Sequence, residues 1–342
     1  MVTENRTSYQ VQAGPGVISL GGKLDAQITA ELMDAFSRLD GIDPVRLDFS
    51  RMDTLEISGV NALIKLYVSA RAQGIKLLAT GLKPAFREVF AATRLDEAIP
   101  MEAPPSGSEA GADLPPGWPW ARPVEKLEVR DAPEGALNLN IHGLRAAGPN
   151  QGFGLLWEKT YQVRLPGITA TPKEVIRAFK ENFPAFQPEQ NRFYPTPAGI
   201  APGEIVIINA KTPAGLISTG VWVLYADEES FTFMTPEGHP EAGWVSFSAF
   251  DDNGTVTARI QGFARAGDPV YEIGFVLMGS SEQEKIWKHV LTSLARHFGI
   301  EGGVSMNKAC VGNDYQWERW GNIWYNAQIR TAAYTVQKAI GL

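Results

Sequence analysis

Between residues 101 and 123 the chain reads MEAPPSGSEAGADLPPGWPWARP, with prolines at 104, 105, 115, 116, 119 and 123. Proline removes backbone donors and pushes its neighbours toward extended conformations, so no helix or central strand runs through this stretch. It reads as a semi-extended linker. The chain is thereby constrained to two cores, one on each side, and its 342 residues suit that, since domains commonly run about 100–200 residues. Trp118 and Trp120 are unusual in a free tether, and the large apolar area of an indole predicts that they pin the linker to one domain.

Before the linker, strand and helix patterns alternate. GVISLGG (16–22) is a short apolar run, and residues 25–40 place Ile28, Leu32, Ala35, Phe36 and Leu39 at helical spacing. VRLDFS (45–50) alternates as a strand, SGVNALIKLYVSARAQG (58–74) is helical, KLLATG (76–81) is a strand, and residues 83–95 form a helix with Pro84 near its first turn. Short connections between alternating elements predict an α/β domain, a mostly parallel sheet with covering helices. After the linker the rhythm changes. A strand over 158–167 precedes a helix over 171–183, opened by Thr171, Pro172 and Glu174 as a capping box. About five strand-like runs follow from Gly203 to Gly267, with Asn253-Gly254 marking a hairpin turn. A long helix over 280–299 carries Ile286, Val290, Leu291, Leu294 and Phe298 on one stripe and stops at Gly299. This order predicts an α+β domain, a curved antiparallel sheet around a long C-terminal helix.

Composition excludes several function classes. A net charge of −7 and no basic run argue against nucleic acid as a partner. No segment has the roughly 18 apolar residues of a membrane span, so stable membrane insertion is not expected. MVTENRTSYQ lacks the basic and apolar regions of a signal peptide, and Cys310 is the lone cysteine; both fit a cytoplasmic location. No P-loop, His-Glu-x-x-His, Gly-x-Ser-x-Gly or paired-cysteine motif occurs, and GFGLLW (152–157) places Trp157 where a dinucleotide loop needs its third glycine. No cofactor and no metal are expected. His289 and His297 lie two helical turns apart, beyond the i, i+4 spacing of a zinc pair, and read as surface residues.

With these elements placed, residues 14–99 resemble a STAS domain, the fold of anti-sigma-factor antagonists. The resemblance is carried by VISLGGKLDAQITAEL, VRLDFSRMDTLEISGVNALIKL and GIKLLATGLKPAFREVFAATRLDEAI. Family members usually carry Asp-Ser-(Ser/Thr)-Gly here, with the first hydroxyl phosphorylated. In this chain the tetrad is Glu56-Ile57-Ser58-Gly59, so Ile57 occupies the phosphoacceptor slot and Ser58 matches the second hydroxyl. Ser58 reads as the helix N-cap, with a candidate phosphosite as the alternative. The resemblance implies a docking face built from Asp53, Glu56, Ile57, Ser58, Gly59 and Asn61. Its partner would be a protein, an anti-sigma-type kinase or a scaffold.

Residues 155–300 resemble the START-like, helix-grip superfamily, most specifically over FTFMTPEGHPEAGWVSFSAFDDNGTVTARIQGFARAGDP. That resemblance implies an apolar cavity between sheet and helix, holding a hydrophobic small molecule or lipid. Its candidate lining is His239, Glu241, Trp244, Phe247, Trp287 and Leu291. The leading expectation is a non-enzymatic binding protein. Lipid handling is one alternative, and catalysis on a hydrophobic substrate by His239 and Glu241 as an acid–base pair is another. For His239 the other reading is a turn residue hydrogen-bonded to backbone. The tail over 313–342, with Trp317, Trp320 and Trp324 at helical spacing and only Arg319, Arg330 and Lys338 as cations, is expected to be a helix docked on its own domain or a second copy.

Overall fold

The structure, a computed structural model, describes residues 9–39, 41–103, 114–278 and 281–340. The chain divides into two compact units, Met1–Trp118 and Pro119–Leu342. Of the expected linker, Pro104 and Pro105 lie outside the described residues. Its last part is not a free tether: Ala121 N donates to Leu224 O, and Trp120, 3% exposed, packs edge-on against Tyr225.

In the first unit four strands, β1 (Tyr9–Gly14), β2 (Val17–Leu24), β3 (Val45–Leu55) and β4 (Leu77–Thr80), form one sheet in chain order. β1 pairs antiparallel with β2, while β2, β3 and β4 run parallel. The helices α1 (Ile28–Ser37), α2 (Ile57–Ala72) and α3 (Pro84–Ala92) supply the crossovers and cover. Ile18, Leu47, Phe49, Leu63 and Phe90 are fully buried between these layers. β3 runs five residues past its expected end, because Met52 and Leu55 keep its apolar contacts inward.

The second unit contains β5 (Ala146–Ala147), β6 (Leu156–Leu165), α4 (Pro172–Asn182), β7 (Asn191–Pro195), β8 (Ile205–Thr212), β9 (Gly215–Ala226), β10 (Ser230–Pro236), β11 (Glu241–Asp252), β12 (Thr255–Ala266), α5 (Pro269–Met278), α6 (Ser281–His297), β13 (Ser305–Gly312) and α7 (Ala327–Ala339). The large sheet has the antiparallel order β13-β6-β12-β11-β10-β9-β8-β7, with β5 beside β10. The capping box forms as expected: Glu174 N donates to Thr171 Oγ1 at 3.3 Å, and Thr171 N donates to Glu174 Oε2 at 2.8 Å. Asn253 and Gly254 have φ of 53° and 80°, as a type I′ turn requires.

Alternation along each strand sorts side chains onto two faces. One face carries Tyr161, Val163, Phe231, Phe233, Phe247 and Ile260 and is covered by α4 and α6 through Phe179, Phe183, Val290, Leu291 and Leu294. The opposite face carries Trp222, Met234, Trp244 and Phe263, and residues 119–153 with α7 run against it. The Ile141 side chain lies over Gly220, and Ser218 N donates to Thr331 Oγ1 at 3.1 Å. Burial of both faces explains the unbroken apolar runs of β8 and β9. The tail departs from the expected single helix. After β13 it is a 3-10 helix over Trp317–Tyr325, then α7, which docks on its own unit.

Phe247 sits at the centre of the covered face, stacked on Phe231 at 4.5 Å and edge-on to Phe179 and Phe183. Phe247→Ala is expected to destabilise this unit by about 3–5 kcal/mol, read as a lowered urea midpoint for the full chain.

Candidate functional site

In the first unit α2 begins at Ile57, with Glu56 in the extended N-cap position. The cap assigned to Ser58 is therefore corrected by two residues. Ser58 lies inside the first turn, and its Oγ donates to Glu56 Oε2 at 3.4 Å instead of accepting from the helix. Glu56 is held by Lys23 at 2.5 Å, and its N–H donates to Leu24 O at 3.0 Å. Gly59 is obligatory for packing: a Cβ there would collide with the Leu24 carbonyl, so α2 could not approach β2. Of the six docking residues, Asp53 is well exposed and lies 3.9 Å from the Lys83 ammonium. Glu56, Ile57 and Ser58 are half-buried, whereas Gly59 and Asn61 are buried and leave the face to the other four.

In the second unit a cavity of about 470 Å³ opens on the same sheet face as the phenylalanine cluster, toward the end bounded by α5. Its walls come from Leu155 and Trp157 on one side, Pro213, Ala214 and Ile217 from the β8–β9 hairpin, and Val270, Phe275 and Ile329 at the mouth. Parity along β6 puts Trp157 and Lys159 on the face of Tyr161, and parity along β11 puts Glu241 on the face of Phe247. A polar cluster stands on this apolar wall. Lys159 Nζ donates to Gln283 Oε1 at 2.7 Å, and Gln283 Nε2 donates to Glu241 Oε2. Burial raises the pKa of Glu241 above the usual carboxylate range, against the opposing pull of Lys159 and the Gln283 hydrogen bond. A second carboxylate, Glu272 on α5, is also raised by burial, with Arg265 as the nearby cation.

Of the six lining residues expected here, Glu241 alone borders the cavity. Trp244 is on the other face of the sheet, stacked on Phe263, because it is an odd number of residues from Phe247. Phe247 and Leu291 are core, and Trp287 packs against Phe247 at 5.7 Å. His239 is half-buried in the turn before β11, with Nδ1 at 3.1 Å from Glu241 N and 3.0 Å from Glu241 O. It binds the backbone of Glu241 and not its carboxylate, so the acid–base pair is not assembled. Lys159 and Gln283 were not singled out in the sequence. The signal was available for Lys159, as the one charge in the inward series Trp157, Lys159, Tyr161, Val163, Leu165.

The Gly-His-Pro-Glu turn has a packing task. A Cβ on Gly238, whose φ is 80°, would overlap the Tyr325 carbonyl, and Ala327 N donates to Gly238 O at 2.9 Å. A Cβ on Gly267 would overlap His239 O. The turn is the seat on which the chain's last helices rest. Among the described residues no group of three or more His, Cys, Asp and Glu side chains could hold a metal ion, and no helix is long and apolar enough to cross a membrane.

These two sites define a two-unit protein: an α/β unit presenting the start of one helix, and a helix-grip unit with an apolar cavity. Residues 7–102 match the model of a family described as Mlab, STAS domain, so the N-terminal unit is a STAS domain. No curated protein matches the chain in sequence. Solved structures similar to the second unit include StfQ, a di-domain ARO/CYC from the steffimycin biosynthetic pathway. It is 12% identical with a TM-score of 0.33, over 42% of this chain and 50% of that one, so the match spans half of StfQ. Ara h 8.0201 is 10% identical with a TM-score of 0.32, over 42% of this chain and 97% of that one. A Mycobacterium smegmatis protein, Ms6760, is 14% identical with a TM-score of 0.30, over 41% and 89%.

Burial depresses the pKa of His239 to about 4. The unfolded chain takes up this proton near pH 6.5 and the folded chain only near pH 4. The contribution of His239 to stability is therefore complete above about pH 6.5 and declines as pH falls toward 4. Imidazole proton NMR is expected to show a histidine signal titrating near pH 4 that is absent from His239→Asn, and a near-random-coil titration of His239 would contradict this placement.

Proposed function

We propose that the protein is a non-enzymatic, cytoplasmic regulator whose helix-grip unit binds a hydrophobic small molecule and whose STAS domain docks a protein partner. The observation that carries the reading is the cavity of about 470 Å³, within the range of small-molecule sites, with largely apolar walls on which the Lys159, Gln283 and Glu241 cluster stands. Lys159, Gln283 and Glu241 already satisfy one another, so an amphipathic, lipid-like molecule is suited to it. Its polar end would exchange hydrogen bonds with this cluster, and its apolar body would lie against Trp157, Ile217 and Phe275. Catalysis through His239 and Glu241 is not supported by this geometry, because the imidazole serves the turn.

Native mass spectrometry of protein purified from cells is expected to show a retained apolar molecule. Ala264→Trp, which places an indole in the cavity, is expected to lose it while keeping the circular dichroism of the parent. A parent protein that never carries or takes up such a molecule would remove the ligand half of the proposal.

On the STAS domain the partner is of the anti-sigma type, a kinase or a scaffold, and it reads Asp53, Glu56, Ile57 and Ser58. Docking there is constitutive, because Ile57 has no hydroxyl and Ser58 is held against Glu56. Peptide mapping after incubation with candidate kinases is expected to leave residues 53–65 unmodified, and a phosphate on Ser58 would make the domain a switch instead.

A further inference from the structure

The mouth of the cavity is framed by an apolar surface that no described residue covers. Val270 and Phe275 of α5 line the cavity, while Ile273 and Leu277 are 58% and 79% exposed on the same helix. Val276 does both, bordering the cavity at 70% exposure. α5 has one charge, Glu272, and its carboxyl is drawn inward toward Leu155, Arg265 and Tyr315. The exposed side of this helix is uncharged. The 3-10 helix lies against α5 and adds Trp317, Trp320 and Trp324 at 68%, 58% and 75% exposure.

These indoles are not on a loose segment. Asn322 Nδ2 donates to Gln151 O and to Gly267 O, both at 2.8 Å. Asn326, fully buried, donates from Nδ2 to Asp268 Oδ2 at 2.7 Å, and Gln316 N donates to Phe153 O at 2.9 Å. The half-buried amide of Asn322, with the buried Gln316 and Asn326 at either end, thus fixes the backbone of the 3-10 helix and leaves its large rings outward. Each indole would bury about 150–250 Å² if covered, and soluble proteins seldom leave a contiguous patch of this kind open without a use.

We propose that α5 and the 3-10 helix Trp317–Tyr325 form a docking surface for a lipid membrane, seating the mouth of the cavity at the bilayer interface. Three features select lipid over a second copy of the chain or another protein. Tryptophans beside aliphatic side chains match the headgroup and acyl layers of the interface. The exposed side of α5 has no ion-pairing group with which a protein partner would be specified, and the charges of the 3-10 helix are one of each sign, Glu318 and Arg319. The patch is also continuous with the cavity rim, so a protein seated on it would cap the cavity, whereas a bilayer would open it toward acyl chains. With a net charge of −7, attachment rests on apolar insertion and not on anionic lipid. The proposal goes beyond ligand binding, because the patch does not require a filled cavity.

The test is flotation of the full chain with phosphatidylcholine vesicles. The parent is expected to bind, and binding is expected to persist in 0.5 M NaCl, because screening leaves apolar contacts intact (~0.5 M lies well beyond the range of surface charge pairs). Trp320→Ser with Trp324→Ser, and separately Ile273→Ser with Leu277→Ser, are each expected to lower the partition coefficient by at least about tenfold with unchanged circular dichroism. These four residues do not line the cavity. Ala264→Trp is expected to float like the parent, so loss of the ligand reading leaves this one standing. A parent that does not float, either double variant floating like the parent, or a parent dimer that the variants abolish without any vesicle binding would each overturn the proposal.

Discussion

The helix-grip unit depends on five phenylalanines that meet on one face of its sheet. Phe179 comes from α4 and Phe183 from its C-cap, and Phe231, Phe233 and Phe247 come from the sheet, with ring centroids 4.5–5.8 Å apart. Packed this way, they close one half of the space that a curved sheet leaves beneath its helices. What remains open is the half toward α5, where Ala264 and Ala266 replace large residues on β12 and the strands present Trp157, Lys159 and Glu241. The position of the cavity is therefore set by where the aromatic packing stops.

The same packing logic explains the glycines on either side of β11 and β12, Gly238 and Gly267. Gly238 and Gly267 stand where other backbone passes too close for a side chain, and Gly59 does the same between α2 and β2. A chain that places glycine at a helix–strand contact specifies how closely two elements approach, and with it which surfaces they expose. At Gly238 the turn leaves room for the Tyr325 carbonyl, and this seats the 3-10 helix with its indoles turned outward beside the cavity.

Much of this was legible in the residues. Strand–helix alternation before the prolines, the Thr171–Glu174 box, the Asn253-Gly254 turn and the stripe of α6 each rest on local chemistry that tertiary contacts did not override. The candidate site was less legible because its residues are assigned by face. Trp244 and Phe247 cannot both point into one cavity from a single strand, and parity alone would have separated them. Ser58 was misplaced because Glu56, a poor match to capping preferences, takes the extended position while Lys23 holds its carboxylate. The tail read as one helix because its tryptophans recur at helical spacing, although the half-buried amide of Asn322 and the buried amide of Asn326 divide it into a 3-10 helix and α7. Long-range hydrogen bonds of that kind leave no periodic trace in a sequence.

The grip is filled at its phenylalanine end and open at its α5 end. Methyl NMR of the full chain titrated with decanol tests this directly. Shifts are expected only in the methyls of Leu155, Ile217, Val270 and Ile329, which border the cavity. Shifts centred instead on Val290, Leu291 and Leu294, which pack on the phenylalanines, would contradict it.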